Sequence, residues 1–336
     1  MGIRSLTALI KQKSPGSIET KALYSLSGKR VAIDTSIFLY KSLSTYRYNG
    51  DYLRNKDDKI VSHIVGIFYK TIQYLSLGIT PIYIFDGKPP IEKNDVLVER
   101  NKKAAENKIL SEKSVNPAEV LKYEKNSIRV KQHHINDIKK LFNLMGISYV
   151  HPDGEAEAYA SELCRIGYVD YVVTEDMDTL VFGCPRMIRN CLDKTIKRND
   201  VVSVIDLEII LKDFKMNMKE FIDMCILCGC DYCPTIPKVG SVRSFNYIQN
   251  HKTIENLIES EKCPNIPQGF LEKYANSRVL FEVFKDKIDI ANIPIHNSKC
   301  DYIILNKYLM EDCAISEKKV DNALKKMTLF TEQLVK

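Results

Sequence analysis

The residues best suited to chemistry lie between Asp153 and Asp178, where four carboxylates stand at the ends of two predicted elements. Glu155 and Glu157 open an apolar helical run, and Asp176 and Asp178 follow a hydrophobic strand. Carboxylate oxygens are the ligands that Mg²⁺ prefers, and without a cation they would repel one another when buried together. Acids at a helix N-terminus can also simply complement the helix dipole. The pattern favours a divalent metal site over that alternative.

Two further aspartates stand at the ends of apolar runs that we interpret as strands. Asp34 ends the strand in KRVAIDTSIFLY (29–40), and Asp86 follows the apolar run of TPIYIFDGKPP. Strands without polar alternation are typical of parallel sheets covered on both faces. Because predicted helices alternate with them, they indicate an α/β fold with a mostly parallel central sheet flanked by helices.

The carboxyl edge of that sheet is the expected site, since ligands of parallel sheets bind beyond the carboxyl ends of the strands. All four strand-end aspartates should therefore converge there. Glu155 and Glu157 are two residues apart and would not share a helix face. Both can serve one site only at the helix entry or through a water molecule. Asp176 and Asp178 straddle a strand end, where alternation places both on one side.

Composition argues against a membrane-spanning or secreted protein. The 336 residues are 45% hydrophobic and 27% charged, and no apolar run approaches the ~20 residues of a membrane span. The net charge is +6, and the segment 88–140 holds 13 Lys and Arg against 8 Asp and Glu. A basic surplus in one segment suits a polyanionic partner. Surface helices also carry such runs without any partner.

Ten cysteines without a secretory signal indicate a reducing, intracellular compartment with free thiols. Four of them form CxxCxCxxC, at Cys225, Cys228, Cys230 and Cys233, which could ligate zinc. The surrounding MKEFIDMCILCGC is instead typical of an amphipathic helix in which small cysteines pack as apolar residues. We therefore expect structural packing there.

A charged helical segment follows the second strand. Residues 96–136 are rich in Lys, Glu and Ala, and Asn116-Pro117 divides them into two predicted helices with little core-forming periodicity. Lys93 and Arg100 are seven residues apart, so they share a face if the helix already covers Lys93. The segment is either a binding element or a solvated helical excursion.

A second helical unit lies at 217–258. It is predicted as helix, tight turn and helix, with Asp231 closing the first helix and Pro237 and Gly240 marking the turn. An ordinary helical hairpin has the same pattern, so this unit alone does not establish a binding function.

Several stretches together resemble one known family, the flap endonucleases within the structure-specific 5′ nucleases. They are VAIDTSIFLYKSL, GIFYKTIQYLSLGITPIYIFDGKPP, KQHHINDIKKLFNLMGISYV, PDGEAEAYASELC, VVTEDMDTLVFG and FIDMCILCGCDYC. The likeness runs from the opening MGI to the last predicted helix. It implies the PIN-like α/β fold of 5′ nucleases, with a helical arch and a helix–turn–helix DNA clamp.

The resemblance implies a nuclease that cuts 5′ flaps at junctions of single- and double-stranded DNA in replication and repair. Two Mg²⁺ ions, with Mn²⁺ as a substitute, would be held by seven matching carboxylates: Asp34, Asp86, Glu155, Glu157, Asp176, Asp178 and Asp231. Two dications need about as many negative ligands, so the inventory is reasonable. By the same likeness, Lys93 and Arg100 would contact the scissile phosphate and stabilise its developing charge.

Other positions match DNA contacts of the family. Tyr40 would stack on the flipped nucleotide, and Gly2 would be the mature N-terminus near the site. Arg47 and Arg54 match arginines near the duplex junction. The full set of implied DNA-binding positions is Gly2, Tyr40, Arg47, Arg54, Arg129, Lys238, Gly240 and Arg243. In the clamp, a K⁺ ion would bridge a DNA phosphate to the backbone carbonyls of Thr235, Ile236 and Val239.

The same likeness predicts the organisation of the chain. The nuclease domain would comprise 1–95 and 137–216, interrupted by the arch at 96–136. The helix–turn–helix DNA-binding unit would cover 217–262, and a C-terminal helical segment, 263–336, would pack on the nuclease domain.

Two departures from the family pattern affect the expected partners. The clamp turn is KVGSVR (238–243) where the family usually has GIGPKR, so Val242 replaces a lysine and one phosphate contact would be lost, although Lys238 would supply a charge nearby. The ending TLFTEQLVK lacks the paired aromatics of a sliding-clamp peptide. We therefore expect a monomer that does not bind a sliding clamp by that route. Compact forms of this kind resemble those of large DNA viruses, which leaves a nucleus or a viral replication site open.

Three alternatives remain at this point. A 5′-3′ exonuclease of the same family would carry the same residues. A catalytically silent DNA-binding scaffold would gain nothing from acids that repel phosphates. A haloacid-dehalogenase-like phosphatase would use Asp176 of Asp176-Met177-Asp178-Thr179 as its nucleophile, but that motif usually follows the first strand rather than a mid-chain one.

Overall fold

A seven-stranded sheet forms the centre of the molecule. The computed structural model describes residues 2–45, 47–48, 51–196, 200–261, 265–282, 288, 293–296 and 298–334. The strands in these ranges are β1 (Ile18–Ala22), β2 (Arg30–Asp34), β3 (Arg47–Tyr48), β4 (Asp51–Tyr52), β5 (Thr80–Ile84), β6 (Tyr149–Val150), β7 (Tyr171–Val173), β8 (Arg186–Asn190) and β9 (Val201–Asp206). The sheet order is β1-β9-β8-β7-β2-β5-β6, and β3 pairs with β4.

The five strands from β8 to β6 are parallel, and β9 and β1 continue the sheet in antiparallel pairing. The predicted α/β fold with a mostly parallel central sheet is therefore confirmed. The sequence did not reveal β1, because its IETKA segment is an edge strand with two exposed polar residues and carries no apolar run.

Helices cover both faces of the sheet. They are α1 (Leu6–Lys13), α2 (Thr35–Thr45), α3 (Ser62–Ser76), α4 (Asn94–Lys113), α5 (Pro117–Ser127), α6 (Gln132–Met145), α7 (Ala156–Arg165), α8 (Asp178–Val181), α9 (Leu207–Phe214), α10 (Met218–Cys228), α11 (Ser241–His251), α12 (Ile254–Ile258), α13 (Phe270–Glu282), α14 (Tyr302–Lys307) and α15 (Glu317–Leu334). None of the helices in the described ranges has the length and apolarity to cross a bilayer.

Alternation along β2 sends side chains into two separate cores, as expected for a strand covered on both faces. Val31 and Ile33 pack with apolar residues of α3, α6 and α15. Ala32, between them, packs with α7. A third core is formed by residues of α1 and of the helices from α8 through α13. The strands are thereby held rigidly, which keeps their carboxyl ends in register.

The helices α4 and α5 project from this body. Ala104 is the one buried residue of α4, and α5 has none. The two helices are separated by a short break in which Asn116 Oδ1 accepts a hydrogen bond from the Ala118 N–H at 3.0 Å, with Pro117 as the first residue of α5. We call α4 and α5 the helical projection.

The cysteines of CxxCxCxxC pack in the core around α10. Cys225, Cys228 and Cys233 are buried, and Cys230 is half-buried against the same cluster. Burial raises the pKa of Cys228 and Cys230 to about 12, so both thiols stay protonated at neutral pH. Within the part of the chain that the structure describes, no three His, Cys, Asp or Glu side chains are grouped closely enough to hold a metal ion, which favours structural packing over a zinc site.

A buried ion pair joins α10 to the C-terminal helices. The side chain of Asp223 is 3% exposed and accepts hydrogen bonds from Arg278 Nε and Nη2, both at 2.8 Å. Asp223 Oδ2 also accepts from the Ile254 N–H at 3.1 Å, at the start of α12. Removing one partner of a buried pair leaves the other charge without compensation.

We predict that Arg278→Met lowers the free energy of unfolding by about 3 kcal/mol, because Asp223 would remain buried without its cation. Urea denaturation measures the change. As a matched control, Lys103→Met removes an ion pair with Glu99. The side chain of Lys103 is 65% exposed and that of Glu99 is 55% exposed. That variant should lose less than about 1 kcal/mol. Equal losses in the two variants would contradict the expected role of the buried pair.

Candidate active site

Two aspartates stand at the carboxyl ends of neighbouring parallel strands. Asp34 is the last residue of β2, and Asp86 follows β5. The Ser36 N–H donates to Asp34 Oδ1 at 3.0 Å, and the Ser36 hydroxyl donates to Asp86 Oδ2. The Thr174 hydroxyl donates to Asp34 Oδ2 at 3.0 Å, and the Ala156 N–H donates to Asp86 Oδ1 at 3.1 Å. These hydrogen bonds orient both carboxylates at the sheet edge.

Two glutamates approach the same edge from the start of α7. Glu155 is the N-cap residue, and Glu157 lies in the first turn. This placement at the helix entry is the one that lets residues two apart serve a single site. Glu155 accepts hydrogen bonds from the Tyr232 hydroxyl and the Lys93 ammonium. Burial, and then the charge of Glu155, raise the pKa of Tyr232, so its hydroxyl remains a donor.

Asp176 and Asp178 lie beyond the end of β7, with Asp178 as the first residue of α8. Strand alternation was therefore the wrong reason to place them together. A turn does so instead, in which the Asp178 N–H donates to Asp176 Oδ1 at 3.1 Å. Gly2, at φ +76°, packs against both residues, and a Cβ there would overlap both carboxylates. Only glycine suits that position.

Burial and mutual repulsion dominate the electrostatics of these acids. Burial, followed by the charge of Asp86, raises the pKa of Asp34 to about 8. The pKa of Glu157 is raised well above its usual value by burial and then by Asp34, Asp86 and Asp176. The pKa of Asp178 is raised by burial and then by Asp176. The negative charges of neighbouring acids therefore contribute to the raised pKa of each of these three groups.

Seven carboxylates are connected in this way, through direct contacts or mutual pKa shifts, and we call them the acidic cluster. Its members are Asp34, Asp86, Glu155, Glu157, Asp176, Asp178 and Asp231. The segments that the sequence indicated thus come together in one region of the fold. Such a concentration of negative charge requires protons or cations for stability.

Two cations border the acidic cluster. Arg100 Nη2 lies 3.0 and 2.8 Å from the two carboxylate oxygens of Asp231. Lys93, in a short helical turn before α4, pairs with Glu155 Oε1, and its Nζ lies 3.7 Å from Asp231 Oδ2. Burial by itself would lower the pKa of Lys93, but the charges of Glu155 and Glu157 outweigh it and raise that pKa. Lys93 is therefore a permanent cation.

The donor set of the acidic cluster suits a hard divalent cation. All its ligand atoms are oxygens, and Asp178 Oδ1 is buried without a hydrogen-bond partner among the residues described. Among the described residues, no three His, Cys, Asp or Glu side chains are grouped closely enough in their present positions to hold one ion. Lys93 and Arg100 instead neutralise part of the cluster.

Two of the predicted DNA-binding residues lie near the helical projection. Tyr40, on α2, is 40% exposed, so it is not a core tyrosine, and its hydroxyl donates to the Lys125 carbonyl at 3.2 Å. Arg129 follows α5 and donates to the carbonyl of Arg100. Both residues thus lie at the junction between the projection and the body.

Arg47 and Arg54 lie in and just after the β3–β4 hairpin. Arg54 is paired locally, with Nη1 at 3.3 Å from Asp58 Oδ2 and Nε at 3.7 Å from Asp51 Oδ2. The backbone of Arg47 pairs with that of Tyr52, and its side chain lies outside the described atoms. The DNA-binding role of both arginines stays a prediction.

The predicted clamp residues lie between α10 and α11. Lys238 and Arg243 are exposed, and Arg243 Nη1 donates to the Lys238 carbonyl at 2.7 Å. Apart from its two chain neighbours, no described residue has an atom within 4 Å of a Cβ built at Gly240, so a DNA backbone could approach closely there. The carbonyls predicted to bind K⁺ belong to Thr235, Ile236 and Val239. Of these, the Ile236 carbonyl accepts the Val239 N–H at 3.2 Å.

Three hydroxyl residues in contact with the acidic cluster were not identified from the sequence. Ser36, Thr174 and Tyr232 each donate to a carboxylate that is at least 50 residues distant in the chain. Tyr232 directly follows Asp231, and Ser36 lies two residues after Asp34. Nothing in their local sequence indicates which distant acid each would contact.

Comparisons with known proteins identify the family of this chain. The family model of the XPG N-terminal domain matches residues 1–107, and that of the XPG I-region matches residues 146–231. Flap endonuclease 1 of Glycine max is 35% identical over 335 residues, which cover 97% of this chain and 86% of that protein.

Solved structures show the same fold. The flap endonuclease-1 of Methanococcus jannaschii superposes with a TM-score of 0.72 at 26% identity, covering 94% of this chain and 96% of that one. The Holliday junction-resolving enzyme GEN1, solved with product DNA and a Mg²⁺ ion, has a TM-score of 0.64 at 20% identity and covers 95% and 77% of the two chains. Nucleases of this kind use divalent metal ions. The chain belongs to the flap endonuclease family, the structure-specific nucleases that act on 5′ flaps of DNA.

Proposed function

We propose that this flap endonuclease hydrolyses the DNA backbone with two Mg²⁺ ions, replaceable by Mn²⁺, bound by the acidic cluster. The observation that carries the proposal is the coupling of seven carboxylates from distant segments, bordered by Lys93 and Arg100. The unpartnered Asp178 Oδ1 supports a cation as the natural ligand of the cluster. Family membership removes the support for a phosphatase.

When bound, such ions supply an activated water and offset the charge of the phosphate. The chain's own residues do the remaining work. Ser36 and Thr174 hold Asp86 and Asp34 in place by donating hydrogen bonds to their carboxylates. Lys93 and Arg100 can exchange their carboxylate partners for phosphate oxygens, because both partners are anions. They would then stabilise the charge that develops on the phosphate in the transition state.

The remaining DNA contacts would set the position of the cut. Tyr40 presents an exposed ring beside the helical projection, and a stacked base contributes about 1–3 kcal/mol to binding. Arg47, Arg54 and Arg129 would neutralise phosphates, and the backbone of Gly2 closes the site next to Asp176 and Asp178. The helical projection would serve as the arch through which a free 5′ end passes.

The segment between α10 and α11 would hold the duplex at a distance from the cut. Lys238 and Arg243 supply charge, Gly240 allows close approach, and a K⁺ ion would use the carbonyls of Thr235, Ile236 and Val239. Contacts with the DNA backbone carry no sequence information, so specificity comes from the shape of the junction. Because Val242 replaces a basic residue in this turn, the grip on the duplex is weaker than is usual in the family.

We further propose that the enzyme works as a monomer where DNA is replicated and repaired, in a nucleus or at a viral replication site. A 5′-3′ exonuclease activity of the same site is the alternative. The exposed helical projection favours the flap endonuclease, because an arch that admits a free 5′ end selects single-stranded flaps.

Cleavage of end-labelled 5′-flap, nicked and blunt duplexes with Mg²⁺ tests the function. We expect the flap to be released as one product. Asp178→Ala should abolish cleavage yet still bind the flap in EDTA, because it removes one carboxylate of the acidic cluster but no cation. Asp321→Ala, an exposed aspartate of α15, is the control and should cut normally. Near-normal cleavage by Asp178→Ala would refute the metal assignment, and a mononucleotide ladder would favour the exonuclease.

Lys93→Ala should slow single-turnover cleavage by ~10²–10³ while DNA affinity changes only a few-fold, because Lys93 acts on the phosphate of the transition state. Lys102→Ala removes the same charge from an exposed position of α4 and controls for general attraction. Rapid-quench kinetics and fluorescence anisotropy separate the two effects. A loss seen mainly in affinity, or shared by both variants, would assign Lys93 to general phosphate attraction.

The raised pKa of Asp34 predicts a pH-dependent stability in the metal-free protein. Since the folded pKa is about 8 and the ordinary value is 3.8, the contribution of Asp34 is complete below pH 4 and lost as pH rises through 8. In EDTA, the Tm of Asp34→Asn relative to that of the wild type should therefore increase as pH rises from 6 to 9. Mg²⁺ should raise the Tm of the wild type most at high pH.

Thermal unfolding followed by circular dichroism gives both comparisons. The difference between the two proteins isolates Asp34 from other groups that titrate in this range, such as Lys70, whose pKa is lowered to about 8 by burial. A Tm difference that stays constant from pH 6 to pH 9 would show that Asp34 does not carry the raised pKa.

A further inference from the structure

Tyr232 is a buried side chain in direct contact with the acidic cluster. It is 2% exposed, and its hydroxyl donates to Glu155 Oε2. Its ring packs edge-on against Phe281, with the ring centroids 5.2 Å apart. Packing in the third core therefore holds the ring in place, and the hydroxyl with it.

Glu155 has two donors of different kinds. Tyr232 donates to Oε2, and Lys93 donates to Oε1. The Lys93 ammonium also lies 3.7 Å from Asp231 Oδ2 and 5.9 Å from the centroid of the Tyr232 ring. Each oxygen of the Glu155 carboxylate therefore accepts a hydrogen bond from a different donor.

The two donors are not equivalent during the reaction. Lys93 lies at the base of the helical projection, and under the proposed function it must reach the scissile phosphate. An ammonium that moves to a phosphate oxygen leaves Glu155 Oε1 without its partner. Tyr232 has no such second task. As a neutral donor it also leaves the negative charge of Glu155 available to a cation, whereas Lys93 offsets that charge.

We propose that Tyr232 is a positioning residue that keeps Glu155 oriented for the metal ions when Lys93 transfers to the scissile phosphate. The proposal rests on the proposed function. To that function it adds the role of Tyr232 and the expectation that Lys93 leaves Glu155 while Tyr232 stays bound to it. In the resting protein Lys93 covers Glu155. In the working complex the Tyr232 hydroxyl is the donor that remains.

Residues that orient a metal ligand by hydrogen bonding typically change metal affinity or activity by 10–100-fold when they are removed. Tyr232→Phe deletes only the hydroxyl and keeps the ring that packs on Phe281. We expect the Mg²⁺ concentration for half-maximal single-turnover cleavage to rise about 10-fold. High Mg²⁺ should restore most of the rate, and DNA affinity in EDTA should match that of the wild type.

Tyr274→Phe is the matched control, because Tyr274 also donates to a glutamate, Glu255 Oε1 at 3.1 Å, away from the acidic cluster. It should leave the Mg²⁺ dependence of cleavage unchanged. A second readout needs no catalysis: without DNA and in the Lys93→Ala background, where no ammonium holds Glu155, the rise in Tm on adding Mg²⁺ should be smaller when Tyr232→Phe is added than when Tyr274→Phe is added. A purely structural role would lower Tm without changing either Mg²⁺ response.

The order of partner exchange is tested by combining Tyr232→Phe with Lys93→Ala. If Lys93 has left Glu155 in the working complex, the Mg²⁺ shift caused by Tyr232→Phe is the same in both backgrounds. A larger shift in the Lys93→Ala background would mean that Lys93 still holds Glu155 during cleavage, and would overturn the proposal. An unchanged Mg²⁺ dependence in Tyr232→Phe would also overturn it while leaving the nuclease function intact. Failure of the wild type to cut flaps would refute the function itself.

Discussion

Repulsion among buried carboxylates is the constraint on which the rest of this structure depends. Seven acids share one region, and burial and mutual charge raise the pKa of several of them. An isolated cluster of this kind would be expelled into solvent. It persists because the surrounding fold is strong enough to hold it, and because protons, cations and hydroxyl donors share the charge.

The sheet provides that strength. Parallel strands packed between helical layers bury β2 on both faces, so Asp34 cannot retreat from the site without disturbing two cores. Asp86 is tied to Asp34 through Ser36, and to the start of α7 through the Ala156 N–H. Rigid strand ends and a helix entry thus bring together acids that separate segments supply. This preorganisation is what a metal-dependent hydrolase needs, since little reorganisation is left for the reaction.

The two cations that border the acidic cluster come from the start of a segment with few buried residues. Lys93 and Arg100 lie at the base of a helical projection with almost no apolar core, and their main partners are Glu155 and Asp231. The same carboxylates would bind metal ions. Binding of DNA phosphates to these cations and binding of metal to these acids therefore favour each other, because each removes the competing partner of the other. That linkage joins capture of the substrate to assembly of the site.

The sequence by itself indicated which acids would meet and roughly where in the fold. Apolar runs that end in Asp34 and Asp86, and the acidic pairs around α7 and α8, indicated the site because strand hydrophobicity and strand ends are local properties. Only the tertiary structure decided how the acids are held. Ser36, Thr174 and Tyr232 contact carboxylates far away in the chain, and β1 is an edge strand defined by its partner. These features depend on which segments become neighbours, and no local pattern of residues encodes that.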